Sequence, residues 1–591
     1  MRRSIIAKNI TKKWNNKVWA IVLNMVFFLS IVLICDIKYE VSDDFIMSTI
    51  ISGAYGNGYN PHLMFINIIW GYILLPFYYL MPQISWYLIA QLLVCLLSFT
   101  FVSYTFLEKL EKPVAILFII ILLTFFADDA YILVQFTKTA MIAVVGGGST
   151  FLWALFNKRK KSLQISSAVL VLVGTLIRFN VIYIAGGFFL FILIAEFQKL
   201  IKEKNWFFCG RVICWGSMLI ISAIFMKVID SYIYNMDEEY SYYRAYSEAR
   251  ASVVDSEDYG YEAYKDKLQD IGISENDYKI MRSWNFADNN IFSKEVLEET
   301  GNIIKEHKKD LGISKEKILE DIQVRGILEY PICLICLAVL LAVVLLLRKE
   351  WLIDTGIMFL AGAYLLYFFA VGRTVYRVEY GIFFCAFIVM MYFWKKKAND
   401  LGQNIETKKK CAILILICLV TEGLIYIPDR TYLDNTRDSR KEYIENFFFE
   451  SWNYDARKYR KVVNKGEKSD DLIKEINDHK ENFYFMDFQT TIQVLYYDWN
   501  PFYTLPENFY DNVLYFAGIT TNFPDCNKIL KERGVEDPLK DLVQEGVYLI
   551  DSDYRTLDFK IKFLQEHYYP KARAELYKEI NGYQIWKIYE G

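Results

Sequence analysis

LMFINIIWGYILLPFYYL, Leu63 to Leu80, decides the topology, because whether it crosses a membrane fixes the side on which everything after it lies. Its length approaches the roughly 20 apolar residues of a spanning helix. If it spans, NKRKKS (Asn157 to Ser162), KLIKEK (Lys199 to Lys204), LRKE (Leu347 to Glu350) and WKKKANDLGQNIETKKK (Trp394 to Lys410) all face outward. That placement breaks the rule that cytoplasmic loops carry the excess Lys and Arg. If it lies along the outer surface, or dips in and returns, every one of those clusters falls inside. Asn67, Gly71 and Pro76 also weaken it as a regular lipid-facing helix. The sequence therefore predicts a juxtamembrane or re-entrant helix over Leu63 to Leu80.

Composition supplies the membrane itself. Hydrophobic residues make up 54% of the 591, and 17% are aromatic. Apolar runs of spanning length recur along most of the chain, which excludes an ordinary soluble enzyme. Net charge is −3 and says little, because basic and acidic residues are segregated. MRRSIIAKNITKKWNNK precedes the first apolar run, carries no acid and stays inside. The run after it is long for a signal peptide and lacks a small-residue cleavage site, so it reads as a retained anchor.

The spans fall near 18–36, 86–107, 113–127, 139–156, 163–178, 181–198, 208–229, 328–347, 353–371, 379–394 and 411–427. The expected fold is a mainly α membrane protein of about eleven transmembrane helices, N-terminus inside and C-terminus outside, at residues 1–427. Two polar regions come out on the extracytoplasmic side. One is the acidic, tyrosine-rich loop 230–325, with NMDEEYSYYRAYSEARASVVDSEDYGYEAY and the helix-like SKEVLEETGNIIKEHKK. The other is the tail 428–591, where NFYFMDF, NVLYFAGI, GVYLIDSDY and GYQIWKIYE read as strands between helical DDLIKEINDHK and TLDFKIKFLQEHYY. That alternation predicts an extracytoplasmic α/β or α+β domain.

Nine of the ten cysteines lie in or beside the apolar runs, and only Cys526 sits in the outer tail. No outer disulfide framework is available. CLIC at Cys333 has metal-like spacing but lies in an apolar helix and reads as packing. Four scattered histidines suggest no metal cluster, and no glycine-rich nucleotide motif is present.

What remains are ionisable groups at the outer ends of membrane helices. EVSDDFIMSTIISGAYGNGYNPH (Glu40 to His62) follows the first span and opens with Asp43 and Asp44. Asp128 and Asp129 follow the third, with Lys138 soon after (FFADDAYILVQFTKT); Arg178 (LIRFN) sits in a turn with hardly any loop; Arg373 and Arg377 (AVGRTVYRVEY) follow the ninth. Charges at a hydrocarbon boundary are costly and usually face a cavity or pair with one another. Each also has an ordinary reading: solvated loop acids for the aspartates, snorkelling to headgroups for the arginines. Asp43 and Asp44 have apolar, aromatic and glycine-rich neighbours, unlike a freely solvated loop. His62 reads as a local hydrogen-bonding residue.

An inside N-terminus, paired acids after the first helix, a surface helix before the second, acids again after the third, about eleven spans and an outer C-terminal domain together resemble the GT-C class of membrane glycosyltransferases. That class includes the protein O-mannosyltransferases and the lipid A aminoarabinose transferases. The resemblance covers the whole chain in topology and rests in residues on the acid pairs; Asp-Asp stands here where several members have Asp-Glu. It implies a plasma-membrane, bacterial enzyme that takes a sugar from a polyprenyl-phosphate carrier and passes it to an extracytoplasmic glycan, lipid or protein, with no nucleic-acid partner.

The chemistry suits the residues. A carboxylate can take the acceptor's proton as the anomeric carbon is attacked, and cations can hold the departing phosphate. By its match to the first acid of that class's pair, the resemblance implies Asp43 as the base, with Asp44 orienting it or the acceptor. Lys138, Arg178, Arg373 and Arg377 are the expected phosphate partners, and Asp128, Asp129 and His62 are expected to position donor or acceptor. No cofactor is implied; a divalent metal is left open. Exopolysaccharide polymerases and lipid-linked sugar flippases share the polytopic plan, although a flippase or other transporter keeps its charges nearer the bilayer midplane. A non-catalytic scaffold of envelope assembly is the third alternative.

Overall fold

The computed structural model describes residues 15–35, 37–56, 58–312, 351–371, 375–394, 470–487, 499–516, 518–551 and 554–591, with short helical pieces at 315–316, 318–319, 335–341, 412–413, 415–416 and 490–491. Arg373, the charge cluster 395–410, and most of the expected spans 328–347 and 411–427 lie outside the described residues.

Eight described helices are long and apolar enough to cross a membrane: Asn16–Ile34, Trp86–Lys109, Lys112–Ile132, Phe136–Phe156, Val181–Lys202, Trp206–Met236, Trp351–Val371 and Tyr376–Phe393. Lys161–Ile177 is shorter, at the lower limit of spanning length. Where the helix edges differ from the sequence reading, polar residues are involved. The third span runs on to Ile132 through a π-helical turn at Leu123–Ala127, carrying Asp128 and Asp129 within a helix. Trp206–Met236 has 31 residues, about 46 Å, and so outruns a hydrocarbon core of about 30 Å.

Lys161–Ile177 packs tightly on Phe136–Phe156. A Cβ on Gly147 would come within 2.8 Å of the Ser167 carbonyl, and one on Gly174 within 2.8 Å of the Ala140 carbonyl. Backbones approach this closely only across small residues. The helix that carries Lys138 is thereby held firmly.

The opening stretch forms helix Ile68–Leu80, 13 residues with Pro76 inside, about 20 Å long. Both its ends lie at one end of the bundle. Asn67 N–H donates to the carbonyl of Leu176, at the end of Lys161–Ile177, and Ile68 N–H donates to Asp230. Ser85, which caps the next span, lies beside Tyr39 and Ser48. The same end gathers β1 (Lys38–Tyr39), β2 (Leu133–Val134) and Val371, whose carbonyl accepts from Lys308. Asn16, Glu108, Lys109, Arg159 and Met391 meet at the other end. Ile68–Leu80 thus does not traverse the bundle, as the downstream charges require.

The tail carries a five-stranded sheet in the order β4 (Val513–Tyr515), β3 (Phe483–Met486), β5 (Val547–Ile550), β7 (Tyr583–Tyr589) and β6 (Arg573–Ile580). β3 is parallel to β4 and β5, whereas β7 is antiparallel to β5 and β6. Four strands fall on the apolar stretches read from sequence. β6, RAELYKEI, carries too much charge to announce a strand, and it forms the mostly exposed edge, where charge blunts unwanted pairing.

This domain is seated on both polar loops. Tyr510 N–H donates to Ala54 O, Ser85 N–H to Phe502 O, and Leu539 N–H to Ala287 O. His567 meets Asp277 at 2.8 Å, and Asn290 donates to Asp537 at 2.6 Å. Hydrogen-bonded seams of this kind join the loops and the sheet into one extramembrane body.

Candidate functional site

The base of the site is laid by the two-residue parallel pairing of β1 with β2. It continues through Glu40, whose N–H donates to Val134 O at 2.9 Å. Glu40 is thereby set beside the first turn of Phe136–Phe156, where the Lys138 ammonium lies 2.6 Å from Glu40 Oε2 and 3.2 Å from Asp129 Oδ1. The π-helical turn, a feature that often marks functional sites, places Asp128 and Asp129 there. The Tyr376 hydroxyl also donates to Asp129. The same ammonium lies over the rings of Tyr376 and Tyr380, at 5.8 and 5.5 Å. Glu40, Asp128, Asp129 and Lys138 are each at most 2% exposed. This is a closed cluster: one buried cation shared between two carboxylates, with aromatic faces around it.

Above it, Asp43 and Asp44 occupy the first turn of Ser42–Ile51, where the helix dipole favours anions. Successive side chains on a helix diverge by about 100°, and the two acids enter different surroundings. Asp44 points inward and is fully buried. Its Oδ1 accepts from Tyr87 Oη at 2.9 Å, Gln91 Nε2 at 3.1 Å and Phe136 N–H at 3.0 Å, while Oδ2 has no partner. Burial pushes its carboxyl up to about 7, against the pull of the Gln91 and Tyr87 hydrogen bonds.

Asp43 is only partly buried. Among the described residues no hydrogen bond is made to it. Burial raises its carboxyl; the guanidinium groups of Arg377, Arg250 and Arg178 pull it back, and Asp255 opposes them. These groups come from separate elements: Arg377 opens Tyr376–Phe393, Arg178 caps Lys161–Ile177, and Arg250 belongs to the loop helix Glu238–Val254. Arg178 lies over the rings of Phe136 and Phe65, at 5.4 and 5.7 Å. A partly exposed carboxylate within the electrostatic reach of three guanidinium groups can accept a proton from a neutral hydroxyl beside an anion.

His62 is placed elsewhere. It stacks on Tyr240 with ring centroids 3.7 Å apart and bonds Asn60 at 2.8 Å. Asn60 in turn donates to Tyr240 and to Asp525 of the tail. Burial lowers the imidazole to about 4, so His62 is a neutral brace where first loop, second loop and tail meet. Sequence reasoning left out Glu40, Tyr87, Gln91, Tyr376 and Arg250. Only Arg250 had a local signal: it continues the buried stripe of Tyr243 and Tyr246, at helical spacing, as a charge on an apolar face.

No protein-family model matches the chain, and no curated protein matches it. Among solved structures, the crystal structure of ArnT from Cupriavidus metallidurans in the apo state is similar to it. The two are 11% identical with a TM-score of 0.40, over 96% of this chain and 97% of that one.

Proposed function

We propose that this protein is a GT-C-type membrane glycosyltransferase that moves a sugar from a polyprenyl-phosphate carrier to an acceptor in the bacterial cell envelope. The observation that carries the reading is the division of labour within the acid pair. Asp44 is locked by three donors, whereas Asp43 is half-open and faced by Arg377, Arg250 and Arg178.

In this mechanism the acceptor hydroxyl oxygen forms the new bond to the anomeric carbon as the bond from that carbon to the phosphate oxygen breaks. Asp43 takes the hydroxyl proton. The lipid phosphate leaves with the bonding pair, and its charge is held by Arg178 and Arg377 through charge-assisted hydrogen bonds. Glu40, Asp129 and Lys138 form the rigid floor that fixes Phe136–Phe156 beneath Asp44. The site end of the bundle faces outward, and the seated tail domain shapes the approach of the acceptor.

The test is to incubate the purified full-length protein with a panel of polyprenyl-phosphate sugars, with a bacterial envelope extract supplying acceptor hydroxyls, and follow release of the polyprenyl phosphate. Release from one donor, abolished in an Asp43→Asn, Asp44→Asn double variant, is the expected result. Release that the double variant leaves unchanged would remove this site from the chemistry.

A further inference from the structure

Arg250 is 3% exposed, yet its Nε and Nη1 groups have no acceptor among the described residues. A buried guanidinium without full pairing is strongly unfavourable, because its lost hydration is not replaced. Such a group calls for a partner, and a bound ligand is one that completes it.

A second observation lies opposite. The Arg250 guanidinium sits 5.6 Å from the ring of Trp284. Trp284 follows helix Glu275–Arg282 in a left-handed conformation, φ 61°. Its N–H donates to Met281 O and the next N–H, of Asn285, to Ile280 O. That is the helix-ending motif in which this position is usually glycine. A bulky indole there is strained. The opposite backbone makes way for it: a Cβ on Gly518 would come within 2.9 Å of the Trp284 carbonyl and within 2.7 Å of Phe286. The strained tryptophan and the incompletely bonded arginine thus belong to one local arrangement, and the arginine's charge is felt at Asp43.

We propose that Arg250 and Trp284 form an anion-receiving subsite on the second outer loop, which takes a phosphate or carboxylate group of a substrate next to Asp43. The guanidinium supplies N–H donors on two of its edges, each able to give a phosphate or carboxylate oxygen a charge-assisted hydrogen bond. The indole face holds the guanidinium plane by cation–π attraction. Only the choice of substrate rests on the transferase reading: the anion is either the carrier phosphate of the donor or an acidic group on the transferred sugar or the acceptor.

The experiment is thermal unfolding of the purified full-length protein in detergent, for wild type, Arg250→Met and Arg250→Lys. Each is titrated with a long-chain polyprenyl monophosphate, with glucuronate, and with glucose as the neutral control. Without probe, Arg250→Met should unfold at or above the wild-type temperature, since it replaces an unsatisfied charge with an apolar side chain of similar length. With probe, the wild type should be stabilised by an anion but not by glucose. Apparent affinity should fall tenfold or more in Arg250→Met and by less in Arg250→Lys. A response to polyprenyl phosphate alone assigns the anion to the donor carrier; a response to glucuronate alone assigns it to an acidic sugar or acceptor. A clear drop in the unfolding temperature of unliganded Arg250→Met would show a structural partner and overturn the proposal. So would equal probe responses in all three proteins, or none in the wild type. Donor turnover that persists in Arg250→Met and still requires Asp43 would leave the transferase standing while the subsite falls.

Discussion

Two charged clusters lie within a few residues of each other in sequence and behave oppositely. Around Lys138 the charges are closed on themselves: Glu40 and Asp129 share one ammonium, Tyr376 completes Asp129, and water is excluded. Around Asp43 the guanidinium groups converge from three elements without a hydrogen bond to it, and the carboxylate is half-open. Both would read from composition as acids and bases at the outer ends of helices. The difference teaches that buried charge alone does not mark reactivity. A cluster whose charges are buried against one another stiffens the scaffold; on the function proposed above, substrate enters where the carboxylate is left without a hydrogen bond.

The sharpest way to break this comparison is at Lys138. Lys138→Met leaves two buried carboxylates without their shared cation and should cost about 3–5 kcal/mol of stability, read by chemical or thermal unfolding in detergent. If Lys138 instead serves a ligand phosphate, the variant will keep its stability and lose donor binding.

The effect expected at Asp44 depends on pH. Its folded-state carboxyl sits near 7, above the ordinary aspartate value of 3.8. Between those values the folded protein holds a proton that the unfolded chain releases, so stability falls as pH rises from about 4 to about 7. Asp44→Asn keeps the Oδ1 acceptor and removes the titration. Its advantage over wild type should therefore grow across that window, and parallel stability curves for the two proteins would count against the buried-acid account.

The smallest effect belongs to the seam between loop and tail. His567 is raised above its ordinary value, first by its hydrogen bond to Asp277, so its stabilisation is full below about 6.5 and is lost as pH rises through the folded value. Because the imidazole is partly exposed, the contribution should be under about 1 kcal/mol. His567→Gln should flatten that part of the pH–stability profile and leave the rest unchanged.

Much of the scaffold was legible. Apolar run length gave the described spans, charge parity gave the surface helix Ile68–Leu80, and short aromatic and β-branched runs gave four of the five tail strands. β6 escaped because an edge strand facing water needs no apolar signature. The acids were legible as a pair, but their division was not: Tyr87, Gln91 and the Phe136 N–H that hold Asp44 come from distant residues. Glu40 was similarly hidden, because only the pairing of β1 with β2 carries it to Lys138. Asp128 and Asp129 read as loop acids, since nothing in their sequence announces a π-helical turn.

The central claim is that Asp43 takes the acceptor proton while Asp44 only holds the turn. Single-turnover transfer by Asp43→Asn, with the donor found from the panel and with donor binding measured separately, tests it most directly. The substitution keeps size and part of the hydrogen bonding but removes the basic oxygen, so transfer should fall by about a hundredfold or more while donor affinity changes little. Full transfer in Asp43→Asn, or a loss of binding that accounts for the whole loss of transfer, would contradict the claim.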